Sequence, residues 1–167
     1  MYTRGFITDM IEIEITDDML SSATQKAEEM GKLNNSILKG KGNIAGFLGE
    51  QVALKVLGGE WSNTFDYDIV VRDIKVDVKT KQTTAKPKPF YECSVAKYNT
   101  KQRCDAYAFV RVLKDFSKGW YLGAMKKEDY LSKATPLKKG DVDPSNNFTV
   151  RADCYNLPIS DLGELLQ

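Results

Sequence analysis

The chain contains no histidine. That absence excludes every mechanism built on an imidazole: Ser-His-Asp and Cys-His catalysis, HExxH zinc sites and histidine-metal nuclease motifs. Chemistry must then fall to carboxylates, lysines, tyrosines or a metal held by oxygen ligands, for which Mg²⁺ is the best match and Mn²⁺ the next. Cysteine is scarce as well. Cys93, Cys104 and Cys154 are an odd number at irregular spacing, which fits neither a disulfide framework nor a zinc pair. They read as buried, inert thiols in a reducing cytosol. No run approaches the roughly 18 apolar residues that span a bilayer, and the N-terminus has no signal-peptide pattern, so no membrane partner is expected.

Net charge is also nearly lacking, at +1, but its distribution is uneven. From Lys75 to Arg103 eight positive residues (Lys75, Lys79, Lys81, Lys86, Lys88, Lys97, Lys101 and Arg103) face two negative ones, Asp77 and Glu92. That segment carries +6 and leaves −5 for the remainder, with both ends of the chain acidic. A focused basic stripe on a near-neutral protein suggests a polyanion partner or, equally, a solvated lysine-rich surface. The 167 residues, 42% of them apolar and 28% charged, favour one ordinary soluble domain spanning 1–167.

IEIEI (11–15) alternates strictly and predicts a strand with one apolar face. Thr16 can cap a helix with Asp17 and Asp18 in its first turn and Met19, Leu20, Ala23, Ala27 and Met30 as its buried stripe, ended by Gly31. After a loop over 34–43, a second helix is expected from Ile44 to Leu57, closed by Gly58-Gly59. Strands follow near 60–71 and 74–81, then a proline-broken loop, a short strand near Phe90 to Ser94 and a helix near Val95 to Arg103. DAYAFVRVL (105–113) and GWYLGAM (119–125) read as strands, KKEDYLSK as a helical turn or two, and the last forty residues as turn-rich. The order of elements predicts a mixed α/β domain.

Within this frame FDYDIVVRDIKVDVKTKQ (65–82) reads as a β-hairpin. A turn at Arg72-Asp73, with Val71 opposite Ile74, sets Asp68 opposite Asp77. Like charges at such a cross-strand pair repel, and a divalent cation between them reverses the sign. Lys75, Asp77, Lys79 and Lys81 share one face of the second strand; Val76, Val78 and Thr80 share the other. The preceding helix is apolar nearly all round yet carries Glu50, with Gly46, Gly49 and Ala53 on the same side. Small residues let a helix approach a sheet closely, and a glutamate projecting into that contact is costly unless paired or bound to a metal.

GFLGEQVALKVLGG, FDYDIVV and IKVDVKTK together resemble the active-site signature of the PD-(D/E)XK nuclease superfamily, the restriction-endonuclease-like fold. The match covers about residues 43 to 82. The resemblance implies an αβββαβ core over about 43–125: a central mixed sheet flanked by helices. An added N-terminal strand-helix (1–42) and a turn-rich C-terminal extension (126–167) would lie outside that core. It makes Glu50 the helix carboxylate, Asp68 the first hairpin acid, Asp77 the second and Lys79 the lysine of the triplet. Asp68, Asp77, Glu50 and the Val78 carbonyl become the expected ligands of Mg²⁺, with Mn²⁺ as substitute. Two departures stand out: Tyr67 takes the place of the proline before the first acid, and the second acid is Asp rather than Glu. Lys81, Gln82, Lys86, Lys88, Lys97, Lys101 and Arg103 are then candidate contacts to DNA. The expected activity is metal-dependent endodeoxyribonuclease, in a bacterial or phage-infected cell, with a homodimer suited to double-strand cutting. The alternatives are a non-catalytic nucleic-acid-binding module on the same fold, or an interaction or inhibitor protein. Asp66 is a second candidate for the first acid, Asp105 reads as a turn or cap residue, and Tyr91, Tyr98 and Trp120 as core or base-stacking aromatics.

Overall fold

The computed structural model describes residues 10–34, 41–62, 64, 66–144 and 147–165. In chain order the elements are β1 (Ile11–Glu14), α1 (Asp17–Asn34), α2 (Lys41–Leu57), β2 (Glu60–Trp61), β3 (Ile69–Val71), β4 (Ile74–Thr83), β5 (Glu92–Ala96), β6 (Ala106–Leu113), β7 (Lys118–Lys126), α3 (Lys127–Lys133), β8 (Thr135–Leu137) and β9 (Cys154–Pro158). Short 3₁₀ helices occupy Lys97–Lys101 and Ile159–Asp161. Six strands form one sheet in the order β1-β7-β6-β4-β3-β2, in which β4 and β6 run parallel and the other neighbours antiparallel. A second, antiparallel sheet has the order β5-β9-β8. The expected mixed α/β architecture, a large mixed sheet with flanking helices, is what the chain adopts.

The large sheet is covered on both faces. On one side Ala106, Ala108, Val110 and Val112 of β6 pack with Ala23 and Ala27 of α1 and Leu48, Val52 and Ala53 of α2. On the other, Tyr107 and Phe109 pack with Val95 and Leu157 of the small sheet and Tyr130 of α3. A strand buried on both faces reads as a continuous apolar run, which is why DAYAFVRVL was so plain a strand. Among the described residues no helix is long and apolar enough to cross a membrane.

Local signals explain the parts that position the hairpin. Thr16 Oγ1 accepts the Met19 N–H at 3.2 Å, the expected N-cap of α1. Gly58, at φ 75°, closes α2 by donating to the Leu54 carbonyl at 2.8 Å. Val71 pairs with Ile74, Val70 with Lys75 and Ile69 with Val76, the register expected from the sequence. Arg72 and Asp73 adopt φ 48° and 68°, the paired positive angles that a two-residue hairpin turn requires.

Several expectations need correction. α1 runs through Gly31 to Asn34, and α2 begins at Lys41 rather than Ile44. The loop between them lies largely outside the described residues. The strand expected over 60–71 is two short strands separated by a loop, and β4 continues to Thr83. No α-helix occupies Val95 to Arg103: Val95 pairs with Tyr155 inside β5, and one 3₁₀ turn follows. Val95, Asn99 and Thr100 are weak helix formers, and the sheet partner β9 outcompetes the helix. That partner comes from the C-terminal region, which is therefore not merely turn-rich. Nor is the N-terminal strand an appendage, because β1 pairs with β7 and extends the large sheet.

Candidate active site

α2 lies against β4 because Gly49 leaves no side chain between them. A Cβ built there would sit 1.8 Å from Thr80 Oγ1. Thr80 belongs to the helix-facing set of β4 with Val76 and Val78, as the alternation predicted. Close approach brings Glu50 into the sheet's edge region, where it is 7% exposed. Its Oε1 accepts the Trp61 indole N–H at 2.7 Å. Gly46, by contrast, has open space around it and takes no part in the approach.

Asp68 directly precedes β3 and joins the ladder: its N–H donates to the Val76 carbonyl at 3.0 Å. Its Oδ2 accepts the Val78 N–H at 2.8 Å, so the carboxylate is held against the stretch of β4 that carries Asp77. Asp77 is 4% exposed. Lys79 places its Nζ 2.7 Å from Asp77 Oδ2, though off the hydrogen-bonding direction, so that oxygen accepts no hydrogen bond. The ammonium also reaches Gln102 Oε1 at 3.5 Å and lies 5.8 Å from the centre of the Tyr107 ring.

The electrostatics follow from this crowding. Burial, then the charges of Glu50 and Asp77 and a hydrogen bond shared with Asp77, push the Asp68 carboxyl up to about 9 against the lowering effect of the Val78 N–H. Burial also lifts Glu50 to about 7; Lys26 and the Trp61 hydrogen bond pull it down, and Asp77 adds to the rise. Lys26 is lowered from its ordinary value, chiefly by burial. Its Nζ rests 3.5 Å from the centre of the Trp61 ring without a hydrogen-bond partner.

Glu50 and Asp77, both buried, and the half-buried Asp68 repel one another; Lys79 beside Asp77 and Lys26 beside Glu50 offset part of that repulsion, and a bound proton or cation would relieve the rest. An all-oxygen set of this kind suits Mg²⁺ or Mn²⁺ rather than a softer metal. Asp68, Asp77 and Glu50 therefore fit such an ion by their chemistry. Among the described residues, however, no three acidic, histidine or cysteine side chains are already drawn into a closed ligand set: Glu50 is turned to Trp61 and Asp77 to Lys79.

The other expected residues divide. Lys81 and Gln82 continue β4 beyond the site and are exposed, as are Lys86, Lys88, Lys97, Lys101 and Arg103. Lys101 and Arg103 flank Gln102, which touches Lys79, so that end of the basic segment adjoins the carboxylates. Asp66, the other candidate, is turned to a main-chain donor: its Oδ1 accepts the Arg103 N–H at 3.0 Å. Asp105 is structural, as expected, accepting the Lys75 N–H at 2.9 Å. Trp120 is core, bonded to Glu12, while Tyr98 is 68% exposed. All three cysteines are free and buried, with the Cys104 thiol pushed up to about 11 by burial first.

Sequence reasoning missed Lys26, Trp61, Gln102 and Lys127. Lys26 sits beside Ala27 on the margin of the α1 stripe, and only a buried carboxylate on the facing helix gives it a role. Gln102 is held by Lys127, which donates to its main-chain carbonyl. No local pattern announces that contact across the fold. No family model matches the chain, and no curated protein is detectably similar to it in sequence.

Proposed function

We propose that the chain is a metal-dependent nuclease of the PD-(D/E)XK type, hydrolysing phosphodiester bonds in DNA. The observation that carries this reading is the convergence of Glu50, Asp68 and Asp77 at the open end of the β3–β4 hairpin, with Lys79 at 2.7 Å from Asp77. The order of helix, three-strand meander and parallel fourth strand in α2, β2–β4 and β6 supports it.

Asp68 and Asp77 would hold the cation, with Glu50 binding directly or through water and the Val78 carbonyl as a further ligand. The chemistry supplied there, when a metal is bound, is polarisation of the scissile phosphate and a lowered pKa of metal-bound water. The Val78 N–H fixes the rotamer of Asp68, and Trp61 fixes that of Glu50. Lys79 exchanges its contact with Asp77 for the phosphate, where its charge stabilises the extra negative charge of the pentavalent state. Gln102 keeps the ammonium aimed during that exchange. Action in the cytosol of a bacterial or phage-infected cell belongs to the same reading, as does a homodimer where both strands are cut.

The test is cleavage of supercoiled plasmid and labelled oligonucleotides by wild type, Asp77→Ala and Lys79→Ala in Mg²⁺, Mn²⁺ and EDTA. Metal-dependent cutting lost in both variants is expected. Tight, salt-sensitive DNA binding without cutting on any substrate would instead favour the non-catalytic binding module.

A further inference from the structure

Beside the carboxylates the two sheets part to leave a half-open cavity of about 620 Å³ between β4 and β6 on one side and β5 and β9 on the other. Its size falls within the roughly 300–1,000 Å³ of sites that engulf small ligands. It begins at Lys79 and runs on past Lys81. These two residues and Asp77 share a face of β4, so successive members stand about 7 Å apart along the strand.

The lining has the character of a nucleotide site. Lys81 registers beside Arg111 on the parallel strand β6, which puts two cations next to each other. Arg111 is only 8% exposed. It donates to a main-chain oxygen, the Glu92 carbonyl at 3.0 Å, and lies 5.2 Å from the centre of the Tyr91 ring. No carboxylate among the described residues forms an ion pair with it. A buried guanidinium with one main-chain bond among its five donors is costly unless an anion completes it. With Lys79 and Arg151 the cavity holds four cations against two acids, Glu92 and Asp143. At its rim Phe90 is 68% exposed and stands edge-on to Tyr91 at 5.2 Å between ring centres.

We infer that this cavity receives an unstacked nucleotide next to the scissile phosphate, its phosphate on Lys81 and Arg111 and its base against Phe90 and Tyr91. The inference rests on the nuclease reading and names its substrate class: single-stranded or flap-bearing DNA rather than continuous duplex. A continuous duplex keeps its bases stacked inward and offers the cavity only phosphates. Filling it from a duplex means extruding a base at a cost of a few kcal/mol, which an already unpaired strand avoids. Stacking on exposed aromatic rings beside cations is how sequence-tolerant single-strand binding is achieved.

The experiment is fluorescence anisotropy with a labelled single-stranded 12-mer and the matching blunt duplex, in EDTA so that nothing is cut. Wild type, Lys81→Met, Phe90→Ala and Asp77→Ala are compared; Lys81 and Phe90 are both exposed, so neither substitution threatens folding. The single strand is expected to bind at least about tenfold more tightly than the duplex. Lys81→Met and Phe90→Ala should each weaken single-strand binding by about tenfold and leave duplex binding within about twofold. Asp77→Ala should not weaken it. Equal or tighter duplex binding, or variants that bind the single strand like wild type, would overturn the inference. Because binding is read without metal, the two readings fail separately. Single-strand binding in a protein that cuts nothing leaves the cavity standing and removes the nuclease. Metal-dependent cutting with indifferent cavity variants does the reverse.

Discussion

Replacing Gly49 with alanine tests the packing on which the site depends. The added Cβ would lie 1.8 Å from Thr80 Oγ1 and 2.7 Å from both Thr80 Cβ and Cγ2. Rotating Thr80 about χ1 moves Oγ1 and Cγ2 but leaves its Cβ in place. Carbon atoms in contact prefer about 3.5–4.0 Å, so α2 must back away from β4 by about 1 Å. Overpacking of this kind costs about 1–3 kcal/mol, offset by up to about 1 kcal/mol of better helix propensity. Gly46→Ala supplies the control, three residues earlier on the same helix with nothing within 4 Å of its new Cβ. It should stabilise by about 0.5–1 kcal/mol. Urea unfolding followed by circular dichroism should therefore separate the two variants by about 2 kcal/mol. The same shift carries Glu50 off its position, and a 1 Å misplacement can cost about 100-fold in rate. A Gly49→Ala protein as stable and as active as Gly46→Ala would refute the close approach of α2 to Thr80.

Further outcomes follow from individual contacts. Lys79→Met should lower cleavage about 100- to 1,000-fold in single-turnover kinetics, and should also lower the urea unfolding midpoint, because it leaves the buried Asp77 carboxylate without its cation. Trp61→Phe removes the 2.7 Å hydrogen bond to Glu50. Its loss moves the Glu50 carboxyl further up, so half-maximal cleavage near neutral pH should need several-fold more Mg²⁺. Stability without metal should depend on pH through the acids lifted above their ordinary values of 4.5 and 3.8, Glu50 to about 7 and Asp68 to about 9. Across that window the folded protein keeps protons the unfolded chain has released, so stability falls as pH rises, by at most about 1.4 kcal/mol per pH unit per group. Asp68→Asn should flatten the Asp68 part of the slope, and Mg²⁺ should raise the melting temperature more at pH 8.5 than at pH 6. Asp73→Gly, at a φ of 68°, should stabilise the hairpin by about 1 kcal/mol in the same unfolding assay.

The hairpin and its two aspartates were legible in the sequence because strand alternation fixes which side chains share a face. One correct turn position then sets the whole register. Glu50 was legible because a glutamate beside glycines on an apolar helix has few places to go. The missed elements share a different cause: they are set by partners far away in the chain. Val95 is a strand residue only because Tyr155 lies beside it, and Lys26 matters only because α1 and α2 pack together. Arg111 sits within a plain apolar strand, and its burial beside Lys81 comes from the parallel pairing of β4 and β6. Turn-type preference gave no help in placing the turn, since Arg72-Asp73 is an unfavourable pair that the flanking strands nonetheless impose.

The most direct test of the central claim is a crystal soaked in Mn²⁺ near pH 8.5 and measured for anomalous scattering. The account predicts one strong peak bounded by the carboxylates of Glu50, Asp68 and Asp77, absent from an Asp77→Ala crystal treated alike. No peak among the three, or a peak at some other site with these side chains unmoved, would contradict it.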